Sequence, residues 1–266
     1  MKKNFIYESV HDRERPLRSF YCADAKPEPH FHRCIELLYI THGKMEGEVD
    51  GKQFIAEKDD IVFIRRCAIH AYTPTPHYGN VVLIVKSSYA DDFTAILEKS
   101  TLPPLLCDKS YNRSIFPEFI RLFRAQQNAE HFLIAKGLVN IIFGKLFSHY
   151  PCEPVSTAPN LSTILSVLNF IDRHYSEHIS LDSLAAEFGY NKYYFSRLFN
   201  TYIGDSLNGY INMVRVNNVI ALAKKRDSLN LSDLIYESGF DSLTTFYRHY
   251  ARFYDAPPKA VIRSNF

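Results

Sequence analysis

A motif that occurs twice near the end of the chain is the strongest constraint on its fold. The two copies span residues 184–199 and residues 234–250. Each has a short apolar helical pattern, a glycine (Gly189 or Gly239), and a second helical pattern in which an arginine lies between two aromatic residues four positions apart. A helix, a glycine turn and a second helix form the helix-turn-helix motif. The sequence therefore predicts two such units in an all-α region.

The residues at the predicted helix ends agree with this interpretation. Serine, asparagine and aspartate side chains cap helix N-termini by accepting hydrogen bonds from free backbone N–H groups. Glycine ends a helix readily because it adopts a left-handed backbone conformation. The spacing predicts N-caps at Ser180, Asn191, Asn230 and Asp241.

The second helix of each unit is basic. Residues 191–202 and 242–254 contain lysine or arginine but no aspartate or glutamate. Burial of the aromatic pairs would turn the remaining side chains outward. A basic helix of this kind fits the major groove of double-stranded DNA. The predicted DNA-contacting residues are Lys192, Tyr193, Ser196, Arg197, Asn200, Thr244, Tyr247, Arg248 and Arg252.

The segment between the two units has its own continuous helical pattern. Residues 206–223 would form a helix about 27 Å long at 1.5 Å per residue. Successive major grooves on one face of DNA lie roughly 34 Å apart. The spacing therefore suits two helices that enter neighbouring grooves.

Length and composition indicate an ordinary soluble protein of two domains. The chain has 266 residues, a formal net charge of +2 and five scattered cysteines without a C-x-x-C pair. These features favour a reducing compartment and argue against a disulfide framework or a zinc knuckle. The first residues lack a signal-peptide core, and no segment resembles a membrane span of roughly 18 apolar residues. We therefore expect a cytoplasmic protein without a membrane partner.

The N-terminal part has the pattern of an antiparallel β domain. Apolar runs between residues 35 and 86 are short, and no long amphipathic helix separates them. The Asp50-Gly51 pair between two such runs predicts a β-hairpin with a type I′ turn. This pattern favours an antiparallel barrel or sandwich over a parallel sheet. We expect an antiparallel β-barrel over residues 1–110.

Helical patterns follow over residues 111–150, with an apolar stripe at Ile134, Leu138, Ile141, Ile142 and Leu146. This stripe has two possible roles: packing on the β domain, or dimerisation with a second copy of the chain. Its position between two domains favours a dimerisation segment over residues 111–150. The proline-rich segment 151–160 is the predicted extended linker, because proline interrupts helices. Residues 161–266 form the predicted double helix-turn-helix domain.

The C-terminal region resembles the DNA-binding domain of the AraC/XylS family. Residues 189–199 match the first motif of that family, and Gly204-Asp205-Ser206 with Arg215 match the entry into its connector helix. The second copy matches through residues 239–241 and 246–248 and ends at Pro257-Pro258. It departs from the family pattern at Ile235, Asp255 and Val261.

The resemblance implies a transcriptional regulator rather than an enzyme, without a cofactor. Its expected partners are double-stranded DNA, a small-molecule effector such as a sugar, a second copy of the chain and RNA polymerase. Activation and repression both remain open. The positions that the family turns toward bases correspond to Tyr193, Ser196, Arg197, Thr244, Tyr247 and Arg248.

A group of histidines marks the N-terminal domain. His30, His32, Glu36 and the distant His70 resemble the cupin metal motif, although Asp59, Arg65 and Cys67 depart from its second half. The resemblance implies a cupin-like barrel for this domain. Residues 29–32 with Glu36 also resemble the signature of AraC-family sensor domains. Three interpretations stay open: a metal site at His30, His32, Glu36 and His70; histidines with a structural role; or an effector pocket lined by His30, His32, Glu36, Tyr39, His70 and Tyr72.

Two other functional classes remain as alternatives at this point. The histidines and glutamate could serve a metal-dependent cupin enzyme, a dioxygenase or an isomerase. The C-terminal helices could also bind another protein instead of DNA.

Overall fold

The structure is a computed structural model that describes residues 6–8, 16–24, 27–86, 89, 93, 96–97, 100–126, 131–155, 159–225 and 230–263. The chain forms two compact units, Met1–Ser156 and Thr157–Phe266. The division between them falls within the segment predicted to be a linker.

The first unit is rich in β structure. Its strands are β1 (Ile6–Tyr7), β2 (Leu17–Ala23), β3 (His30–Phe31), β4 (Ile35–His42), β5 (Lys44–Val49), β6 (Lys52–Glu57), β7 (Ile61–Ile64), β8 (His70–Pro74), β9 (Gly79–Val85), β10 (Ser100–Thr101), β11 (Leu105–Leu106) and β12 (Glu153–Pro154). The Asp50-Gly51 hairpin is confirmed. Both residues have positive φ, and Val49 pairs directly with Lys52 across a two-residue loop.

The strands form two five-stranded sheets, in the orders β1-β3-β8-β5-β6 and β11-β7-β4-β9-β2. All pairs are antiparallel except β1 with β3. The predicted antiparallel β domain is confirmed. The sheets do not close into a barrel, since no strand pairing joins them within the described residues. Instead, apolar residues of both sheets share one core, as in a sandwich.

Strand β4 separates two cores because successive side chains point to opposite faces. Leu38 and Ile40 lie in the core between the sheets. Leu37 and Tyr39 lie in a second core, on the other face of the same sheet. Two helices contribute to that second core: α1 (Lys109–Ala125) and α2 (Phe132–His149).

Helix α2 carries the predicted apolar stripe, and the stripe is divided. Leu138, Ile142 and Leu146 are buried in the core, whereas Ile134 and Ile141 are 52% and 46% exposed. Contrary to the sequence expectation, this helix is long and apolar enough to cross a membrane, with a mean hydropathy of 1.3 over 18 residues. A buried core helix meets the same criterion, but only 33% of this window is buried.

The predicted extended linker is partly wrong. Glu153 and Pro154 pair with Thr101 and Ser100 as a short antiparallel strand, because backbone partners are available there. Pro159 begins the next helix. Proline suits this position because the first N–H groups of a helix have no partner within the helix. Residues 156–158 of the predicted linker lie outside the described residues.

The described part of the second unit consists of helices and turns. The helices are α3 (Pro159–His174), α4 (Leu181–Glu187), α5 (Lys192–Ile203), α6 (Leu207–Lys225), α7 (Leu231–Glu237), α8 (Leu243–Tyr250) and α9 (Pro258–Arg263). Helices α4 and α5 form the first predicted unit and α7 and α8 the second. The spacer predicted over 206–223 is confirmed as α6.

Most of the predicted helix ends are confirmed. The side chains of Ser180, Asn191 and Asn230 accept hydrogen bonds from backbone N–H groups of the helices that they precede. The cap at Asp241 was wrong: Ser242 accepts from the Thr245 N–H and begins α8 one residue later. The two turn glycines are left-handed, with φ of 71° at Gly189 and 87° at Gly239.

The two turn glycines differ in their surroundings, and this difference predicts unequal effects of substitution. A Cβ at Gly189 would meet no atom within 4 Å, whereas a Cβ at Gly239 would lie 2.8 Å from backbone atoms of Ser176. Gly189→Ala should therefore lower the free energy of unfolding by about 1 kcal/mol through backbone strain alone. Gly239→Ala should lower it by roughly 2–4 kcal/mol because overlap adds to strain. Urea unfolding followed by circular dichroism measures both, and equal losses would contradict this account.

Candidate functional site

Helix α5 presents a polar face because its aromatic pair is buried. Phe195 and Phe199 are fully buried and pack against each other, with ring centroids 6.5 Å apart. Their burial leaves the opposite face free, where Tyr193 is 81% exposed and Arg197 is exposed. Among the other residues predicted on this helix, Ser196 is half-buried and Asn200 is exposed.

Helix α8 has the same arrangement. Phe246 and Tyr250 are buried, 5.6 Å apart between ring centroids. Thr244, Tyr247 and Arg248 are exposed on the other face. The exposed arginines of α5 and α8 thus occupy equivalent positions in the two helix-turn-helix motifs.

The basic residues on these helices differ in their partners. Lys192 forms an ion pair with Asp182 at 2.7 Å, and Arg252 forms one with Asp205 at 3.0 Å. Within the described part of the chain, no carboxylate pairs with the guanidinium of Arg197 or Arg248. These two arginines are therefore available to an external anion, whereas Lys192 and Arg252 would have to leave an ion pair first.

Arg215 connects the two helix-turn-helix motifs within the C-terminal unit, a role that sequence reasoning missed. From α6, its Nε donates to the carbonyl of Tyr175 at 2.7 Å and its Nη2 to the carbonyl of Glu177 at 2.9 Å. Its guanidinium carbon also lies 6.0 Å from the ring centre of Phe240, in the turn before α8. The signal available in the sequence was that Arg215 is the single charged residue between positions 206 and 223.

In the N-terminal unit, Met1–Ser156, four predicted residues form one buried group. We call it the histidine cluster: His30, His32, Glu36 and His70. Their candidate ligand atoms lie within 4.8 Å of one another. His30 on β3 pairs directly with His70 on β8, so these two share one sheet. Glu36 comes from β4 in the other sheet. The cluster therefore contains residues from both sheets.

The backbone orients all three imidazole rings in the same way. The Nδ1 atoms of His30, His32 and His70 lie 2.8, 3.2 and 2.8 Å from the carbonyl oxygens of Glu28, Cys34 and Ala68. A carbonyl accepts only, so each Nδ1 must donate. The Nε2 atoms of His32 and His70 lie 2.7 and 3.4 Å from the Glu36 carboxylate, and Nε2 of His30 lies 3.5 Å from that of Glu8.

Burial and charge shift the pKa values of this cluster. Burial opposes ionisation of Glu36, but hydrogen bonds from His32 and His70 outweigh it and hold the Glu36 pKa well below its usual range. Burial, followed by the charge of His70, lowers the pKa of His30 to about 4. Glu36 is consequently ionised and His30 neutral at neutral pH.

The two tyrosines predicted to line an effector pocket lie in different places. The ring of Tyr72 is 5.5 Å from that of His70, and its buried hydroxyl has no hydrogen-bond partner among the residues that the structure describes. Burial, with the nearby charge of Glu36, raises the Tyr72 pKa well above its usual value. Tyr39 does not join the cluster, because it lies three positions after Glu36 and so points to the other face of β4. It packs there on Phe116, and its hydroxyl donates to Asp59 at 2.9 Å.

Two concave regions of the first unit lie apart from the histidine cluster. The larger, about 540 Å³, is lined by residues of β5, β6 and β8: Glu46, Gly47, Glu48, Gln53, Phe54, Ile55, Ala71 and Thr73. The smaller, about 160 Å³, includes Arg65 and its ion-pair partner Asp50, 2.6 Å away. No residue of the cluster lines either region.

Comparisons with known proteins match both units. An AraC-like ligand binding domain matches residues 19–139, and a helix-turn-helix domain matches residues 184–264. The multiple antibiotic resistance protein MarA of Escherichia coli is 30% identical over 103 residues, 39% of this chain and 80% of MarA. The transcriptional regulator Rob of Salmonella typhimurium is 28% identical over 102 residues, 38% of this chain and 35% of Rob.

Among solved structures, an apo form of a ToxT variant from Vibrio cholerae aligns over 94% of this chain and 98% of its own. Its sequence identity is 13% and its TM-score is 0.43, which does not by itself establish a common fold. This chain spans only about a third of the length of Rob but most of MarA. The two domain matches, in this order along the sequence, and the identity to MarA show that the chain belongs to the AraC family of transcriptional regulators.

Proposed function

We propose that this protein regulates transcription by binding double-stranded DNA with α5 and α8, under the control of a small molecule that binds its N-terminal unit. The observation that carries the proposal is the exposure of Arg197 and Arg248 on helices whose other faces are buried. An exposed arginine at such a position suits a bidentate contact with guanine in the major groove.

Helix α6, which lies between the two helix-turn-helix motifs, supports binding to neighbouring grooves. Helix α6 has 19 residues, which corresponds to about 28 Å at 1.5 Å per residue. Arg215 ties this helix to the segment before α4 and reaches the turn before α8. The distance between the two helix-turn-helix units is thus set by continuous secondary structure.

The proposed roles predict separate effects of the two arginines on DNA binding. Arg197→Ala and Arg248→Ala should each weaken binding to a selected operator by about 5- to 150-fold, since each removes a contact worth roughly 1–3 kcal/mol. Arg173→Ala is the matched control, because Arg173 is exposed on α3 of the same unit but outside both helices. Fluorescence anisotropy with labelled duplexes chosen from random DNA gives the affinities.

The pattern among these variants tests the proposal. Unchanged affinity in both helix variants, or an equal loss in Arg173→Ala, would contradict it and favour a protein-binding module. A uniform loss on all DNA sequences, with a smaller salt dependence, would assign that arginine to a phosphate instead of a base.

We further propose that the effector-binding unit has no catalytic role. The AraC-like ligand-binding match favours a sensor over a cupin enzyme. His70 is fully buried, and the described concave regions do not include the histidine cluster. Cytoplasmic location and contact with RNA polymerase follow from the same proposal.

The exposed part of α2 favours a homodimer. Leu133, Ile134 and Ile141 are exposed there, although each is a large apolar side chain. Ile134 and Ile141 lie seven residues apart, so they share one face of the helix. A second copy that presents the same face would bury these side chains on both partners, as two-fold symmetric interfaces do.

This dimer predicts a charge-sensitive assembly. Ile134→Glu and Ile141→Glu should each shift the protein from dimer to monomer, because a carboxylate would be buried without a partner. Ile55→Glu is the control, since Ile55 is 58% exposed on β6 in the same unit and lies outside α2. Sedimentation velocity measures the association. A dimer retained in both α2 variants, or lost equally in Ile55→Glu, would refute this interface.

A further inference from the structure

We propose that Asp205 and Arg252 are positioning residues: together they fix how α5 and α8 are placed relative to each other, and so select the operator spacing. Nη2 of Arg252 donates to Oδ2 of Asp205 at 3.0 Å, although the two residues are 47 positions apart in the sequence. This pair matters only if α5 and α8 bind one duplex, so the inference rests on the proposed function.

The two partners occupy corresponding places in the two helix-turn-helix motifs. Helix α5 ends at Ile203 and helix α8 ends at Tyr250. Asp205 and Arg252 therefore each lie two residues beyond a helix that we propose enters a major groove. Their ion pair joins the C-terminal ends of α5 and α8 directly, without passing through α6. A change in the angle between these two helices would have to break this contact.

The contacts of the Asp205 carboxylate hold it in place. Its Oδ1 accepts a hydrogen bond from the backbone N–H of Ser206 at 2.7 Å. This position precedes the N-terminus of α6, where the helix dipole favours a negative charge. The carboxylate also lies against Gly209, because a Cβ at that residue would be 2.5 Å from both carboxylate oxygens. Pairing with Arg252 therefore requires less ordering of this side chain than an ordinary surface ion pair does.

The position of Arg252 suits its side of the pair. It follows the C-terminus of α8, where the helix dipole favours a positive charge. Its guanidinium carbon lies 5.6 Å from the ring centre of Phe253, and that ring packs against the core of the second motif. The guanidinium therefore lies between the core of the second motif and the turn that ends the first.

The exposure of the pair favours a role in placement over a role in folding. The side chains of Arg252 and Asp205 are 48% and 36% exposed. Ion pairs with this exposure contribute little to folding stability. Variants that lack the pair should therefore fold, while α8 gains freedom to move relative to α5. This role also separates Arg252 from Arg197 and Arg248, which we propose read bases.

A comparison of two duplexes tests the pair. The first is an operator selected from random DNA with the full-length protein, and the second has one base pair inserted between the targets of α5 and α8. The insertion turns one target by about 34–36° around the duplex. Fluorescence anisotropy at fixed salt gives the ratio of the two affinities. Asp205→Asn and Arg252→Gln should each lower this ratio by about 2- to 5-fold, the effect expected of one exposed ion pair.

Three further variants make the test specific. Gly209→Ala keeps both charges, but its methyl group would displace the Asp205 carboxylate, so it should lower the ratio as well. It should fold, because alanine is the better helix former. The double variant of Asp205→Asn with Arg252→Gln should lower the ratio no further than either change alone. Asp182→Asn is the matched control, because its ion pair with Lys192, at 2.7 Å, lies within the first motif and should leave the ratio unchanged.

The ratio separates the possible outcomes. Unchanged ratios in Asp205→Asn and Arg252→Gln, or an equal change in Asp182→Asn, would overturn the positioning role. So would a loss in Arg252→Gln that is equal on both duplexes and lowers the salt dependence, because Arg252 would then contact a phosphate. Failure of the proposed function has a different result: Arg197→Ala and Arg248→Ala would bind both duplexes as the unaltered protein does.

Discussion

The exposure of Arg197 and Arg248 depends on the burial of the aromatic residues beside them. On each helix, two rings four positions apart enter the core and fix which face is turned to solvent. Burial of one such side chain contributes about 1.5–3 kcal/mol, far more than an exposed arginine could contribute to orienting its own helix. The polar face is thus determined by the apolar one. Aromatic residues that never contact DNA would still control which residues do so.

The local features of this chain were predictable because short stretches of sequence decide them. Three of four N-caps, both turn glycines and the Asp50-Gly51 hairpin follow from steric and hydrogen-bonding rules that act within a few residues. The fourth cap was misplaced by one position because Asp241 and Ser242 are both good caps, and only tertiary packing selects between them. The linker failed for a related reason: the partners of Glu153 and Pro154 lie about fifty residues earlier.

In the N-terminal unit, the sequence pattern did not predict which residues from different strands come together. Convergence of the histidine cluster was foreseen from a motif, but the inclusion of Tyr39 ignored the two-residue period of a strand. Glu36 and Tyr39 are an odd number of positions apart, so they cannot share a face of β4. The sequence left the choice between a barrel and a sandwich open, since short apolar runs fit both equally well. The second carboxylate, from Glu8, adjoins the cluster only because β1 pairs with β3.

Arg215 and the uninterrupted helix α6 have a consequence for the DNA that this protein would recognise. Because Arg215 holds α6 to the carbonyls before α4 and reaches Phe240 before α8, the two helix-turn-helix units have little freedom to rotate separately. One extra base pair between their target sequences would turn the second target by about 34–36° around the duplex. The protein could not follow that rotation. The DNA would have to bend or twist instead. Operators with easily bent base steps at their centre should therefore be bound more tightly than stiff ones.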